Sequence, residues 1–156
     1  MCGICGELRF DGRPVEEPVL TAMSDRLIHR GPDAAGHFVA ADRTAGFGFR
    51  RLRIIDLSVN GDQPMSNEDD SVHIVFNGEI YNFQALRQRL ESYGHRFRSQ
   101  SDTETIVHLY EEHGADAIAQ LEGMTSCYAR SRSSLAAAYA WLQCLLATDL
   151  NESGWN

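Results

Sequence analysis

The chain has 156 residues, a formal net charge of −8 and 43% hydrophobic residues, which describes one soluble acidic domain with enough apolar material for a core. The charge argues against nucleic acid as a partner. All 14 basic residues are arginine, so any cation gripping a substrate carboxylate must be a guanidinium, and a Walker-type phosphate loop is excluded. No apolar run at the start resembles a signal peptide, and 4 cysteines without regular spacing do not make a disulfide framework, which points to the cytoplasm and reduced thiols.

In chain order, Cys2 to Phe10 is short and apolar and reads as a buried strand ending at the Asp11-Gly12 turn. From Glu16 to Ile28, Val19, Leu20, Met23 and Leu27 recur at helical spacing, with Pro18 suited to a first turn. Gly46 to Phe49 and Leu52 to Ile55 read as short strands, Ser58 to Asp70 as a polar surface loop, and Val72 to Phe76 as the clearest strand. Asn82 is placed to cap a helix carrying Phe83, Leu86, Leu90 and Tyr93, with Gly94 as its left-handed end. Ser101-Asp102-Thr103-Glu104 has capping-box spacing and opens a helix ending near His113-Gly114, with Asp102 where the helix dipole favours a negative charge. Ala115 to Leu121 is a short amphipathic piece.

The chemistry starts at Cys2. Removal of Met1 would put a thiol and a free α-amine on one Cα, joining a nucleophile to a base with an ordinary pKa of about 7.7–8.0. Two other readings stand beside it: a small buried residue, or half of Cys2-Gly3-Ile4-Cys5, a C-x-x-C pattern that would suit a redox pair or a metal site. Only Met1 precedes that pattern, so a redox motif lacks its strand, and Cys127 and Cys144 are too far apart to form a second zinc knuckle. Asn77-Gly78, after the strand, most often marks a hairpin turn, yet an Asn amide and a Gly N–H are also the two donors of an oxyanion hole. Among Arg50, Arg51 and Arg53, strand alternation sends Arg51 to the face opposite Leu52.

Met1-Cys2-Gly3-Ile4, His29-Arg30-Gly31-Pro32-Asp33, Arg51-Leu52, Gln63-Pro64-Met65, Asn77 to Asn82, Ser101 to Glu104 and Gly123-Met124 occur in an order that resembles the class II glutamine amidotransferases. These are N-terminal-nucleophile hydrolases, and the likeness is to the glutaminase domain of asparagine synthetases. The opening through Gly12 is also similar to the N-acetylglutaminylglutamine amidotransferase branch, so the ammonia acceptor stays open. The resemblance implies an α+β fold, a four-layer α/β/β/α sandwich of antiparallel sheets. It implies Cys2 as nucleophile, with Asn77 and the Gly78 N–H on the oxyanion. It implies Arg51 on the glutamine α-carboxylate and Asp102 with Glu79 on its ammonium, and no metal in this site. The His29 to Asp33 loop reads as scaffold. ATP and magnesium are expected only in a separate synthetase domain, with glutamine and that domain as partners and neither nucleic acid nor membrane among them.

The motifs place a partial glutaminase domain at residues 1–124 and a divergent, frameshifted or truncated tail at 125–156. No family strand pairing is expected in that tail, and at most a helix over Leu135 to Leu150, whose all-round apolar surface is too short and interrupted for a membrane span. The sandwich would then be incomplete at its C-terminus. The competing functional readings are a catalytically inactive fragment and a C-x-x-C redox or metal-binding domain.

Overall fold

The computed structural model describes residues 2–131, with side chains for 2–124. In chain order the elements are β1 (Gly3–Leu8), α1 (Glu17–Asp25), β2 (Ala34–Val39), β3 (Ala45–Arg51), β4 (Met65–Ser66), β5 (Val72–Ile80), α2 (Phe83–Tyr93), α3 (Asp102–His113) and β6 (Gly123–Ser131). Single 3₁₀ segments span Val59–Gly61 and Gly114–Gln120. The strands form two 3-stranded antiparallel sheets in the orders β1-β3-β2 and β4-β5-β6.

Period-two alternation decides what each strand shows to each side. On β3, Phe47 and Phe49 point to the second sheet, where they meet Val75 of β5 together with Cys2, Ile4 and Phe38. The intervening Gly46 and Gly48 face α1, and they must be glycine. A Cβ on Gly46 would stand 2.5 Å from Leu20 Cδ1, and one on Gly48 would stand 2.6 Å from Cys5 Sγ. Helix α1 therefore lies close against the first sheet through Leu20, which is 0% exposed and contributes about 1.5–3 kcal/mol by burial.

On β5 the other register faces the helices. Val72, Ile74, Phe76 and Ile80 pack with Leu86 and Leu90 of α2 and Ile106, Val107 and Leu109 of α3. The layers are thus α1, sheet, sheet, α2 with α3: the α+β sandwich that the motifs imply. Glycine ends α2 as expected, since Gly94 has φ 105° and accepts a left-handed conformation without a Cβ penalty.

Several local expectations are corrected. Strand β3 stops at Arg51, and Leu52 to Ile55 is irregular with Ile54 58% and Ile55 45% exposed, because neither β1 nor β2 extends past Arg51 to pair with it. Strand β2, whose Ala-Ala-Gly-His-Phe-Val sequence alternates weakly, had no sequence signal. Asn77-Gly78 is not a turn, since β5 runs through it to Ile80. Helix α1 ends at Asp25, three residues before Ile28. The capping box is half formed: Ser101 Oγ accepts the Thr103 N–H at 3.2 Å, while Glu104 accepts the Arg98 and Ser99 N–H groups at 2.7 Å. The Asn82 side chain does not cap α2; it donates to Gln120 O at 2.9 Å and accepts the Glu122 N–H at 3.1 Å. Strand pairing does not end at Met124 either, for β6 continues along β5 until Ser131 faces Val72. The helix expected over Leu135 to Leu150 lies outside the described residues.

Candidate active site

Four separate stretches of chain deliver polar groups to one end of the inter-sheet space. Cys2 precedes β1, Arg51 ends β3, Asn77, Gly78 and Glu79 lie on β5, and Asp102 opens α3. All six line one cavity of about 260 Å³, with Gln63 and Ser101 in its walls. That volume is below the usual range for drug-sized ligands and is suited to a single amino acid.

The two thiols of the C-x-x-C pattern are separated by strand geometry. Cys2 and Ile4 face the second sheet, whereas Cys5 faces α1 and donates to Gly48 O at 3.6 Å. Both are free cysteines, and burial pushes the Cys5 thiol up in pKa against the Gly48 hydrogen bond and the Arg50 charge. A paired-thiol or shared-metal reading of Cys2 and Cys5 is therefore corrected: side chains three apart on a strand project to opposite faces. The Cys2 sulfur is held by Leu52, whose N–H donates to it at 3.4 Å and whose carbonyl accepts from it at 3.6 Å.

The His29 to Asp33 segment supports these residues from behind. A Cβ on Gly31 would lie 2.3 Å from Arg50 O, so only glycine lets the chain pass there. The Asp33 N–H donates to Arg51 O at 3.0 Å, the Asp33 carboxylate accepts the Arg53 N–H at 2.9 Å, and Arg30 Nε donates to Cys2 O at 3.3 Å. His29 is exposed and does not line the cavity.

Arg51 is only 5% exposed, and its guanidinium donates to Ser58 O at 2.6 Å, to Asp62 Oδ1 at 2.5 Å and to Asp56 O. The stretch from Leu52 to Asp62 therefore wraps the cation and forms one wall. Asp56 anchors that wall by accepting the Ser58 N–H at 2.7 Å and the Gln100 N–H at 2.8 Å. Burial alone would raise the Asp56 pKa, but these bonds and the Arg51 charge outweigh it and hold the carboxyl below its ordinary value.

The opposite wall is the edge of β5 away from β6, which pairs with no strand beyond Ile74 among the described residues. β4 pairs only with His73 and Ile74, so beyond them the edge away from β6 turns to side chains. Gln63 Oε1 accepts the Phe76 N–H at 2.6 Å, and Asp102 Oδ2 accepts the Ile80 N–H at 3.0 Å. Gly78 lies between these two, and strand alternation aims its N–H the same way, toward the cavity it lines. Gln63 Nε2 also donates to Thr103 Oγ1 at 3.2 Å, tying β5 to the start of α3. Asp102 is 4% exposed, and burial raises its pKa despite hydrogen bonds from Ile80, Thr103, its own amide and Ser101. Glu79 is exposed at the rim.

Gln63 is the wall residue that the sequence reading quoted without a role. It sits in a stretch read as a surface loop, yet Gly61, Gln63, Met65 and Asn67 are all buried. The signal in the sequence was that Gln63-Pro64-Met65 is one of the stretches carrying the family resemblance.

A family model described as a glutamine amidotransferase domain matches residues 1–138. The chain belongs to that family. It is 43% identical over 129 residues to asparagine synthetase [glutamine-hydrolyzing] 1 of Bacillus subtilis (strain 168), covering 80% of this chain and 20% of the relative. It is 46% identical over 125 residues to asparagine synthetase [glutamine-hydrolyzing] 2 of Arabidopsis thaliana, covering 80% and 21%. Among solved structures, glutamine phosphoribosylpyrophosphate amidotransferase from B. subtilis, complexed with ADP and GMP, aligns with a TM-score of 0.63 at 20% identity over 83% of this chain and 34% of that one. This last likeness shows the fold alone, two stacked antiparallel sheets with helices packed outside them. The chain spans about a fifth of the length of the curated relatives it matches.

Proposed function

We propose that the chain hydrolyses the side-chain amide of glutamine at Cys2 and supplies the ammonia to a synthetase unit. The observation that carries this reading is the single cavity on which Cys2, Arg51, Asn77, Gly78 and Asp102 meet. Glutamine offers one carboxylate, one ammonium and one amide carbonyl, and those residues offer a cation, an anion and a nucleophile flanked by two neutral donors. With Met1 removed, the Cys2 thiol proton passes to the α-amine as sulfur attacks the amide carbon, and the new oxyanion accepts the Asn77 amide and Gly78 N–H bonds. The C–N bond then breaks, the α-amine returns its proton to the leaving nitrogen, and ammonia departs from a glutamyl thioester. Water attacks the thioester, the thiol is restored and glutamate leaves.

Arg51 is assigned to the substrate α-carboxylate, and Asp102, with Glu79 at the rim, to the ammonium. The guanidinium reaches that role from a position already shared with Asp62, so the substrate carboxylate joins or replaces one of the Arg51 partners in the loop. ATP and magnesium belong to the synthetase unit in this reading, which fits a chain without lysine. The relatives are named for making asparagine, and aspartate is accordingly the first acceptor to test. No helix among the described residues is long and apolar enough to cross a membrane.

The test is a glutaminase assay on the full chain after N-terminal processing, confirmed by mass spectrometry. Equal yields of glutamate and ammonia, abolished by Cys2→Ala, are expected. A processed, folded chain that releases neither would establish the inactive-fragment reading in its place.

A further inference from the structure

Beyond the glutamine cavity, α3 carries a second cluster of chemistry-bearing side chains. His108 and Glu111 project from its C-terminal half toward His95, which follows the end of α2. Glu111 Oε2 lies 2.7 Å from His108 Nδ1 and 3.6 Å from His95 Nδ1. One donor atom from each of the three residues falls within 4.8 Å of the other two. A tetrahedral zinc ion bonded at about 2.0–2.1 Å separates its ligand atoms by about 3.3 Å, so the cluster needs only a small adjustment to enclose one.

The surroundings are those of metal ligands. The remaining nitrogen of each imidazole faces a carboxylate: His95 Nε2 is 2.8 Å from Glu112 Oε1, and His108 Nε2 is 3.8 Å from Glu104 Oε1. The second oxygen of Glu111 accepts from Asn67 Nδ2 at 2.7 Å. Ligating histidines characteristically donate their other N–H to such a partner, which fixes tautomer and ring direction. His108 is 2% exposed, and its Nε2 faces Glu104 beyond hydrogen-bond distance, with no hydrogen-bond partner among the described residues. Aromatic contacts hold the rings in place, with the His95 and His108 centroids 4.7 Å apart and Phe97 edge-on to His108 at 4.7 Å.

We propose that His95, His108 and Glu111 form a binding site for a borderline divalent transition-metal ion, with Zn²⁺ the best fit and a fourth position left to water. Two neutral imidazoles and one carboxylate suit Zn²⁺ over Mg²⁺ or Ca²⁺, which favour all-oxygen ligands. Binding through each Nδ1 places the ring proton on Nε2, against Glu112 and Glu104, and any proton displaced from Nδ1 goes to solvent. The ion staples the segment after α2 to the helix whose first residue is Asp102. It stands apart from Cys2 and takes no part in glutamine hydrolysis.

The test uses the full chain, stripped by a chelator and titrated with ZnCl₂ in competition with a chromophoric chelator, and in parallel with CoCl₂ followed by visible absorption. One equivalent of Zn²⁺ is expected at micromolar or tighter dissociation constant. The Co²⁺ spectrum should be tetrahedral or five-coordinate, without the sulfur-to-metal charge transfer that cysteine ligation gives. His95→Gln and Glu111→Gln should each weaken binding at least tenfold, and both lie at half-exposed or exposed positions where the fold, checked by circular dichroism, should persist. No stoichiometric binding, a cobalt–thiolate spectrum, or affinity unchanged in both folded variants would overturn the proposal.

Discussion

The two walls of the cavity beside Cys2 are built on different principles. The β5 and α3 wall is regular structure cross-braced by buried side chains: Gln63 fills the Phe76 N–H, Asp102 fills the Ile80 N–H, and Gln63 also reaches Thr103. The facing wall, Leu52 to Asp62, has almost no regular structure and exposes Ile54, Ile55 and Leu57, with Arg51 as its central post. In the proposed reaction the first wall fixes donors where charge develops, which requires groups that do not reorganise. The second, in that reading, holds a cation that exchanges partners when a carboxylate arrives. The rigid wall should therefore govern rate, and the loop wall affinity.

The largest effect lies at the group between the walls. Cys2→Ala should remove glutamine hydrolysis altogether, while Cys5→Ala should keep most of it, since Cys5 points to α1 and not into the cavity. Steady-state glutamate release by both variants checks this, and comparable losses would reinstate a paired-thiol site. Next in size, Asn77→Ala should lower kcat by about 10²–10³ with little change in KM, as expected for a donor that matters most in the transition state. A KM effect equal to the kcat effect would remove Asn77 from the oxyanion.

On the loop wall, a Cβ at Gly61 would come within 2.3 Å of Arg51 Nη2. The clash falls on the end of a side chain, so Gly61→Ala should displace the guanidinium and leave the fold standing. A KM for glutamine raised roughly tenfold at nearly unchanged kcat is the expected outcome, equivalent to about 1.4 kcal/mol of binding, with a lowered melting temperature because the buried Arg51–Asp62 pair is disturbed. A kcat loss instead would mean that the loop wall also sets the rate.

The difference between the walls also explains what could be read from sequence. Arg51 and Arg50 were separable because alternation along β3 is strict, and it sends one into the cavity and the other to Asp25 on α1. Asp102 was legible as a helix-start residue, but its bond to Ile80 joins residues 22 apart and no local pattern announces it. Gln63 was hidden for the same reason, at a separation of 40 from Thr103. Asn77-Gly78 carries a local turn propensity that its tertiary context overrides, since pairing with Ser126 and Thr125 extends the strand. Leu52 to Ile55 is the opposite case, since an apolar run without a neighbouring strand becomes a cavity lip.

The most diagnostic expected effect concerns Asp102, where stability and binding oppose one another. Burial raises its native pKa above the ordinary carboxylate value. The contribution of this group to stability is therefore full below its unfolded pKa and is lost as pH rises through the raised native one. Asp102→Asn retains an oxygen to accept the Ile80 N–H while removing the buried charge, so at pH 7 the variant should melt at or slightly above the temperature of the parent chain. The advantage should vanish in acid, where the parent carboxyl is neutral too. Glutamine binding should behave in reverse: the ammonium needs the ionised carboxylate, so the parent KM should climb as pH falls through the native pKa of Asp102. The Asn variant should show a KM about 10–100-fold higher at pH 7, without that climb, the loss of a charged hydrogen bond being worth about 1.5–3 kcal/mol. A variant less stable at pH 7 with unaltered KM would make Asp102 a brace of the β5 wall alone, and the ammonium would have to be assigned to Glu79.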